Sequence, residues 1–141
     1  LSKIQLKEFS ILYIMLNHYE IAFQKKSDLA NIEFESLDNE NLKNDVLKSL
    51  KSDDNENLLK SEIFDKHKKL IEEVLENSSI QIILVNKNNE SITELLSELL
   101  REFEELKNQK KIESLEKDLV NNLDENSFSE LIKLKSQINR E

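Results

Sequence analysis

Residues 90–122 read ESITELLSELLREFEELKNQKKIESLEKDLVNN, with neither glycine nor proline. This spacing predicts a single long helix. Ser91-Ile92-Thr93-Glu94 has the form of a capping box, in which the serine hydroxyl accepts from the Glu94 N–H and the glutamate reaches back to the Ser91 N–H. Nothing after it stops a helix until Asn121-Asn122-Leu123-Asp124-Glu125-Asn126. Residues from about 91 to 122 then make a rod of roughly 46 Å. Its apolar spacing changes partway. Ile92, Leu95, Leu96, Leu99, Leu100, Phe103 and Leu106 form a stripe broad enough to lie on several helices. Lys107, Asn108, Gln109, Lys110 and Lys111 carry no apolar side chain, and the pattern resumes as Ile112, Leu115, Leu119 and Leu123, a narrower seam suited to one helix. One helix is thus expected to serve two packing units, 1–106 and 107–141, with 107–111 as a solvated waist and hinge.

Ser127-Phe128-Ser129-Glu130 reads as a second capping box, opening a helix that carries Leu131, Ile132, Leu134 and Ile138. A short turn between two such helices makes an antiparallel helical hairpin. Its seam is expected to set Ile112, Leu115, Leu119 and Leu123 against Phe128, Leu131, Leu134 and Ile138. That leaves Val120 and Ile132 outward, where an apolar side chain either marks a partner site or simply stands in water.

A chain of 141 residues is one domain, or a small domain with an appendage. The absence of Gly and Pro removes most tight turns, so β-hairpin architectures are disfavoured and an all-α fold is expected, a multi-helix bundle followed by the long helix and the hairpin. The net charge of −9 argues against autonomous nucleic-acid binding. Residues 27–57 hold nine carboxylates against three lysines, a segment that either attracts a basic partner or is a solvated face. With no Cys there is no disulfide, thiolate metal site or thiol nucleophile, which fits a reducing cytoplasm. The longest apolar run, Ile11 to Leu16, is far too short to span a bilayer. The chain begins at Leu1, already inside a helical pattern, and is expected to be part of something longer.

Taken in order, Ser2-Lys3-Ile4-Gln5 caps a first helix running to about Leu16, whose second half is apolar all round and is expected at the centre of the core. Asn17-His18 ends it, and Tyr19 to Gln24 forms a short second helix. Ser27 to Leu37 reads as a loop that lays Leu29, Ile32, Phe34 and Leu37 on the core. Asp38 is expected to cap a helix with Leu42, Val46, Leu47 and Leu50 on one face, broken at Ser52–Asn55. A single helix with Ile63, Phe64, Leu70, Ile71, Val74 and Leu75 inward follows. Ile80 to Val85 is the one β-like run, read either as a short helix or as a buried extended connector.

The sequence carries none of the common catalytic motifs. Neither His18 nor His67 has Glu three residues before it, as a di-iron bundle requires, and no His-Glu-x-x-His is present. Without glycine there is no phosphate loop or dinucleotide fingerprint. His67 falls at the border of an apolar stripe and reads as a boundary histidine. No catalytic residue, cofactor or metal ligand is assigned, and what remains is a helical interaction module.

Two segments carry a resemblance. Phe9-Ser10-Ile11-Leu12-Tyr13-Ile14-Met15-Leu16-Asn17-His18-Tyr19-Glu20 resembles the opening helix of the C-terminal domain of bacterial replicative DNA primase, where an aliphatic helix ends in an Asn-His-Pro-Glu-like turn; Tyr19 stands here in place of the proline. Leu99 to Leu106, Ile112 to Leu119 and Asn126 to Leu134 resemble that domain's ending of long helix, acidic turn and last helix. The resemblance runs the length of the chain on aliphatic patterns rather than rare residues. It implies a non-catalytic piece of a DNA-directed RNA polymerase, a cytoplasmic bacterial domain that docks on the N-terminal domains of the hexameric replicative helicase. The contact would use Val120, Leu123, Phe128, Leu131, Ile132 and Lys135, with neither nucleic acid nor membrane as partner. The helicase's own N-terminal domain has a related fold and is the alternative, as is a generic helical adaptor.

Overall fold

The computed structural model describes residues 2–50, 56–77, 88–121 and 125–138. Among them are eight helices and no strand: α1 Lys3–Asn17, α2 Tyr19–Gln24, α3 Lys26–Asn31, α4 Leu37–Ser49, α5 Glu56–Lys66, α6 Lys68–Asn77, α7 Asn89–Asn121 and α8 Glu125–Ile138. The fold is all-α. The chain divides into two compact units, Leu1–Leu100 and Arg101–Glu141, so α7 contributes to both.

In the first unit, α1 packs on α2, α4 and α6, and its Ile11, Leu12, Ile14 and Met15 are wholly buried. Its aliphatic second half makes it the central helix, as the sequence implies. The capping box at its start is complete. The Gln5 N–H donates to Ser2 Oγ and the Ser2 N–H to Gln5 Oε1, both at 3.2 Å. A single residue, His18, separates α1 from α2; its N–H donates to Ile14 O and its carbonyl accepts from the Ala22 N–H.

Four local expectations are corrected. Residues 26–31 are helix rather than loop, so the irregular connector shrinks to 32–36. Leu29, Ile32 and Phe34 are buried as expected, but Leu37 is 73% exposed, because it opens α4 instead of closing a loop. The cap of α4 is Ser36, whose Oγ accepts from the Asn39 N–H; Asp38 lies inside the first turn, where its charge suits the helix dipole. The helix expected over 63–75 is divided at His67 into α5 and α6, although i→i−4 bonds continue through it from the His67 N–H to Ile63 O and from the Ile71 N–H to His67 O. Ile63, Ile71 and Val74 keep the predicted inward face.

The caps expected for α7 and α8 also move upstream. α7 begins at Asn89 and the Ser91 N–H donates to Asn88 Oδ1, so Asn88 caps the helix and Ser91 sits within its first turn. α8 begins at Glu125, two residues before Ser127. At 1.5 Å per residue α7 extends about 50 Å. Ser52–Asn55, Ile80–Val85 and the turn at 122–124 lie outside the described residues.

Candidate functional site

In the second unit α7 and α8 pack on each other. Ile112, Leu131 and Leu134 are buried in one cluster, with Leu115 and Leu119 against it. This is heptad spacing: Ile112 and Leu119 at a with Leu115 at d on α7, Leu131 at a with Leu134 at d on α8. Two ion pairs flank the seam, Lys111 Nζ to Glu130 Oε1 and Lys135 Nζ to Glu116 Oε1, each 3.0 Å. The first joins two g positions and the second two e positions. Reversing one helix brings like-lettered flanks together, so this pairing is the one antiparallel helices make. Both pairs are about half exposed and together add little stability. Their contribution is to direction and register.

Of the residues expected to meet a partner, Leu131 lies in the seam, Lys135 is held by Glu116, and Ile132 is 53% exposed. At 100° per residue Ile132 stands roughly 130° from the middle of the Leu131–Leu134 seam. The side chains of Val120 and Phe128, and Leu123 altogether, lie outside the described residues. Lys107 to Lys111 fall within unbroken helix, with Gln109, Lys110 and Lys111 exposed and the Lys107 ammonium 5.6 Å from the centre of the Phe103 ring. Leu106, Lys107 and Asn108 are half-buried, so only the second half of the expected waist is fully exposed.

The first unit holds two polar clusters, neither foreseen. Side chains from α1 and α4 hold the connector 32–36. Glu8, wholly buried on α1, accepts from the Glu35 N–H at 2.6 Å and from Asn39 Nδ2 at 2.8 Å. Lys43, wholly buried on α4, donates to Ile32 O, pairs with Glu40 Oε1 at 2.7 Å, and lies 5.1 Å from the centre of the Phe34 ring. The same Glu40 oxygen accepts from the Phe34 N–H. Burial pushes the Glu8 carboxyl above its usual value. The hydrogen bonds from Asn39 and from the Glu35 and Ser36 backbone oppose the rise, and the Glu35 charge adds to it.

The second cluster ties α4 to the α5–α6 junction. His67 Nε2–H donates to Asp45 Oδ2 at 2.7 Å, and Lys66 Nζ reaches the same oxygen at 3.0 Å. Beside it, Asp45, Lys48, Ser49, Glu62, Ile63 and Lys66 line a cleft of about 250 Å³. Partial burial alone would raise the Asp45 carboxyl, but the bonds from His67 and Lys66 and the nearby positive charge outweigh it and hold the group below its usual value. A depressed carboxylate stabilises the fold above its unfolded pKa, near 3.8, and that contribution is lost as pH falls toward the folded value. Asp45→Asn is accordingly expected to lose about 1 kcal/mol near neutral pH. The gap to the parent chain should narrow as pH falls below about 3.8, as followed by urea unfolding at neutral and acid pH.

No cluster of three or more metal-ligating side chains occurs among the described residues. No described helix is long and apolar enough to cross a membrane. Compared with known proteins, the chain matches no family model, no curated protein and no solved structure.

Proposed function

We propose that the chain is a non-catalytic docking domain of bacterial DNA primase, which binds the N-terminal domains of the hexameric replicative helicase in the cytoplasm and couples primer synthesis to unwinding. The observation that carries this reading is Ile132. It stands half exposed on a two-helix unit whose other described apolar residues on α8, Leu131 and Leu134, are buried in the seam. A large apolar side chain turned outward from a helix is what a groove on another protein accepts. The partner comes from the resemblance at both ends of the chain. The acidic net charge and the lack of any catalytic constellation point the same way, toward protein rather than nucleic acid.

Titrating the 141-residue chain into a folded hexameric replicative helicase should give a complex at about 10 μM or tighter by calorimetry. Ile132→Asp should weaken it about tenfold or more while leaving the helical circular-dichroism signal unchanged, since the side chain is not part of the seam. A folded helicase that shows no complex would defeat the proposal.

A further inference from the structure

We propose that residues 32–36 form a strap that opens as one unit while α1 and α4 stay packed, and that Glu8 makes the opening sensitive to pH. The ends of the strap are fixed. Ile32 closes α3 and Ser36 caps α4, and those two helices pack on each other. Between the ends, Ile32 and Phe34 are buried. Side chains of two different helices bind the backbone here. Glu8 on α1 accepts from the Glu35 N–H, Glu40 on α4 accepts from the Phe34 N–H, and Lys43 on α4 donates to the Ile32 carbonyl. These bonds fall on neighbouring residues, so the chain cannot leave one without loosening the next. The helices themselves do not depend on the strap. Asn39 Nδ2 donates to Glu8 Oε1 at 2.8 Å, a direct bond between α4 and α1 that remains when the strap lifts.

Glu8 is wholly buried, with the Glu35 and Ser36 backbone against its carboxylate. Lifting the strap admits water to that side, and an ionised carboxylate gains far more from water than a protonated one. The closed strap answers with its N–H groups, but burial outweighs them and the Glu8 carboxyl is raised. Of the charged groups brought to this spot, Glu35 on the strap adds a like charge. Glu40 and Lys43 from α4 pair with each other at 2.7 Å. Ionisation of Glu8 therefore favours the open strap, and opening increases with pH. What opens is apolar. Ile32 and Phe34 come out beside Leu37, already 73% exposed, and make a surface that the closed chain conceals.

Native-state hydrogen exchange on the whole chain, read amide by amide by NMR, tests this. The Phe34, Glu35 and Ser36 N–H groups are expected to share one opening constant, at least about tenfold larger than that of Leu12, Ile14 and Met15 in α1. Phe34→Leu, which alters no charge, should raise that constant about fivefold at all three amides alike. Between about pH 4 and about pH 7 it should rise about threefold or more in the parent chain, after correction for intrinsic exchange, and stay level in Glu8→Gln. Amides that exchange only together with the core of α1, or that respond separately to Phe34→Leu, would overturn the strap. Three amides that open in concert but show no pH dependence in the parent chain would overturn the part given to Glu8.

Discussion

Replacing Lys43 with alanine is expected to lower the stability of the chain by about 3–5 kcal/mol, measured by urea denaturation at neutral pH. The side chain is wholly buried and has three tasks at one spot. Its ammonium donates to the carbonyl of Ile32, pairs with Glu40, and lies over the Phe34 ring. Alanine removes all three and leaves Glu40, only slightly exposed, beside an unpaired carbonyl. An ion taken out of water is tolerated only while its partner is present, so loss of one member is far worse than loss of both. Lys43→Met, which keeps the aliphatic stem, should therefore recover in part when Glu40→Gln is added. Glutamine retains an oxygen for the Phe34 N–H and carries no charge to strand. If the double variant is no more stable than Lys43→Met alone, the ammonium is serving Ile32 and not Glu40, and the pair is not coupled.

That lysine also shows where the sequence was legible and where it was not. The all-α fold follows from the missing Gly and Pro and from apolar residues at helical spacing, and α1, α2 and the inward face of α4 lie where that spacing puts them. The seam of the second unit was readable for the same reason: Ile112, Leu115, Leu119, Leu131 and Leu134 recur at heptad intervals. Hydropathy, however, assigns charged side chains to water. Glu8 and Lys43 each sit in an inward register, Glu8 four residues after Ile4 and Lys43 beside Leu42 and Val46, and the periodicity that marks a core stripe passes through them. Their positions were a usable signal; their chemistry masked it. The caps were misplaced for a related reason. Several Ser, Asn and Asp residues compete at each helix start, and the choice of Ser36 over Asp38, or Asn88 over Ser91, depends on which backbone N–H points at the side chain. At the candidate docking face, sequence alone set Ile132 outward, but it gave no hint that Lys135 is held by Glu116.

Glu8 should separate two effects that are usually confounded, the loss of a buried acceptor and the burden of a buried charge. Glu8→Ala is expected to cost about 2–4 kcal/mol at about pH 4 and less as pH rises, because the Glu35 N–H and the Asn39 amide each lose their acceptor in a place closed to water. Glu8→Gln should behave differently. The glutamine oxygen can take the Glu35 N–H, and Asn39 can turn its side chain over to offer Oδ1 to the new amide nitrogen. The network is then kept without a titrating group. In the parent chain the Glu8 carboxyl is raised above its ordinary value, so over that interval the folded state holds a proton that the unfolded state has released. Stability from this group is therefore fully present below the unfolded value of about 4.5 and is lost as pH rises through the folded one. The glutamine variant has no such loss. Its stability relative to the parent should rise between about pH 4 and about pH 7, as measured by denaturant unfolding of the two chains side by side, where every other titrating group cancels. A difference that stays constant with pH would mean that Glu8 ionises as freely in the folded chain as in the unfolded one. Its hydrogen bonds would then offset its burial in full.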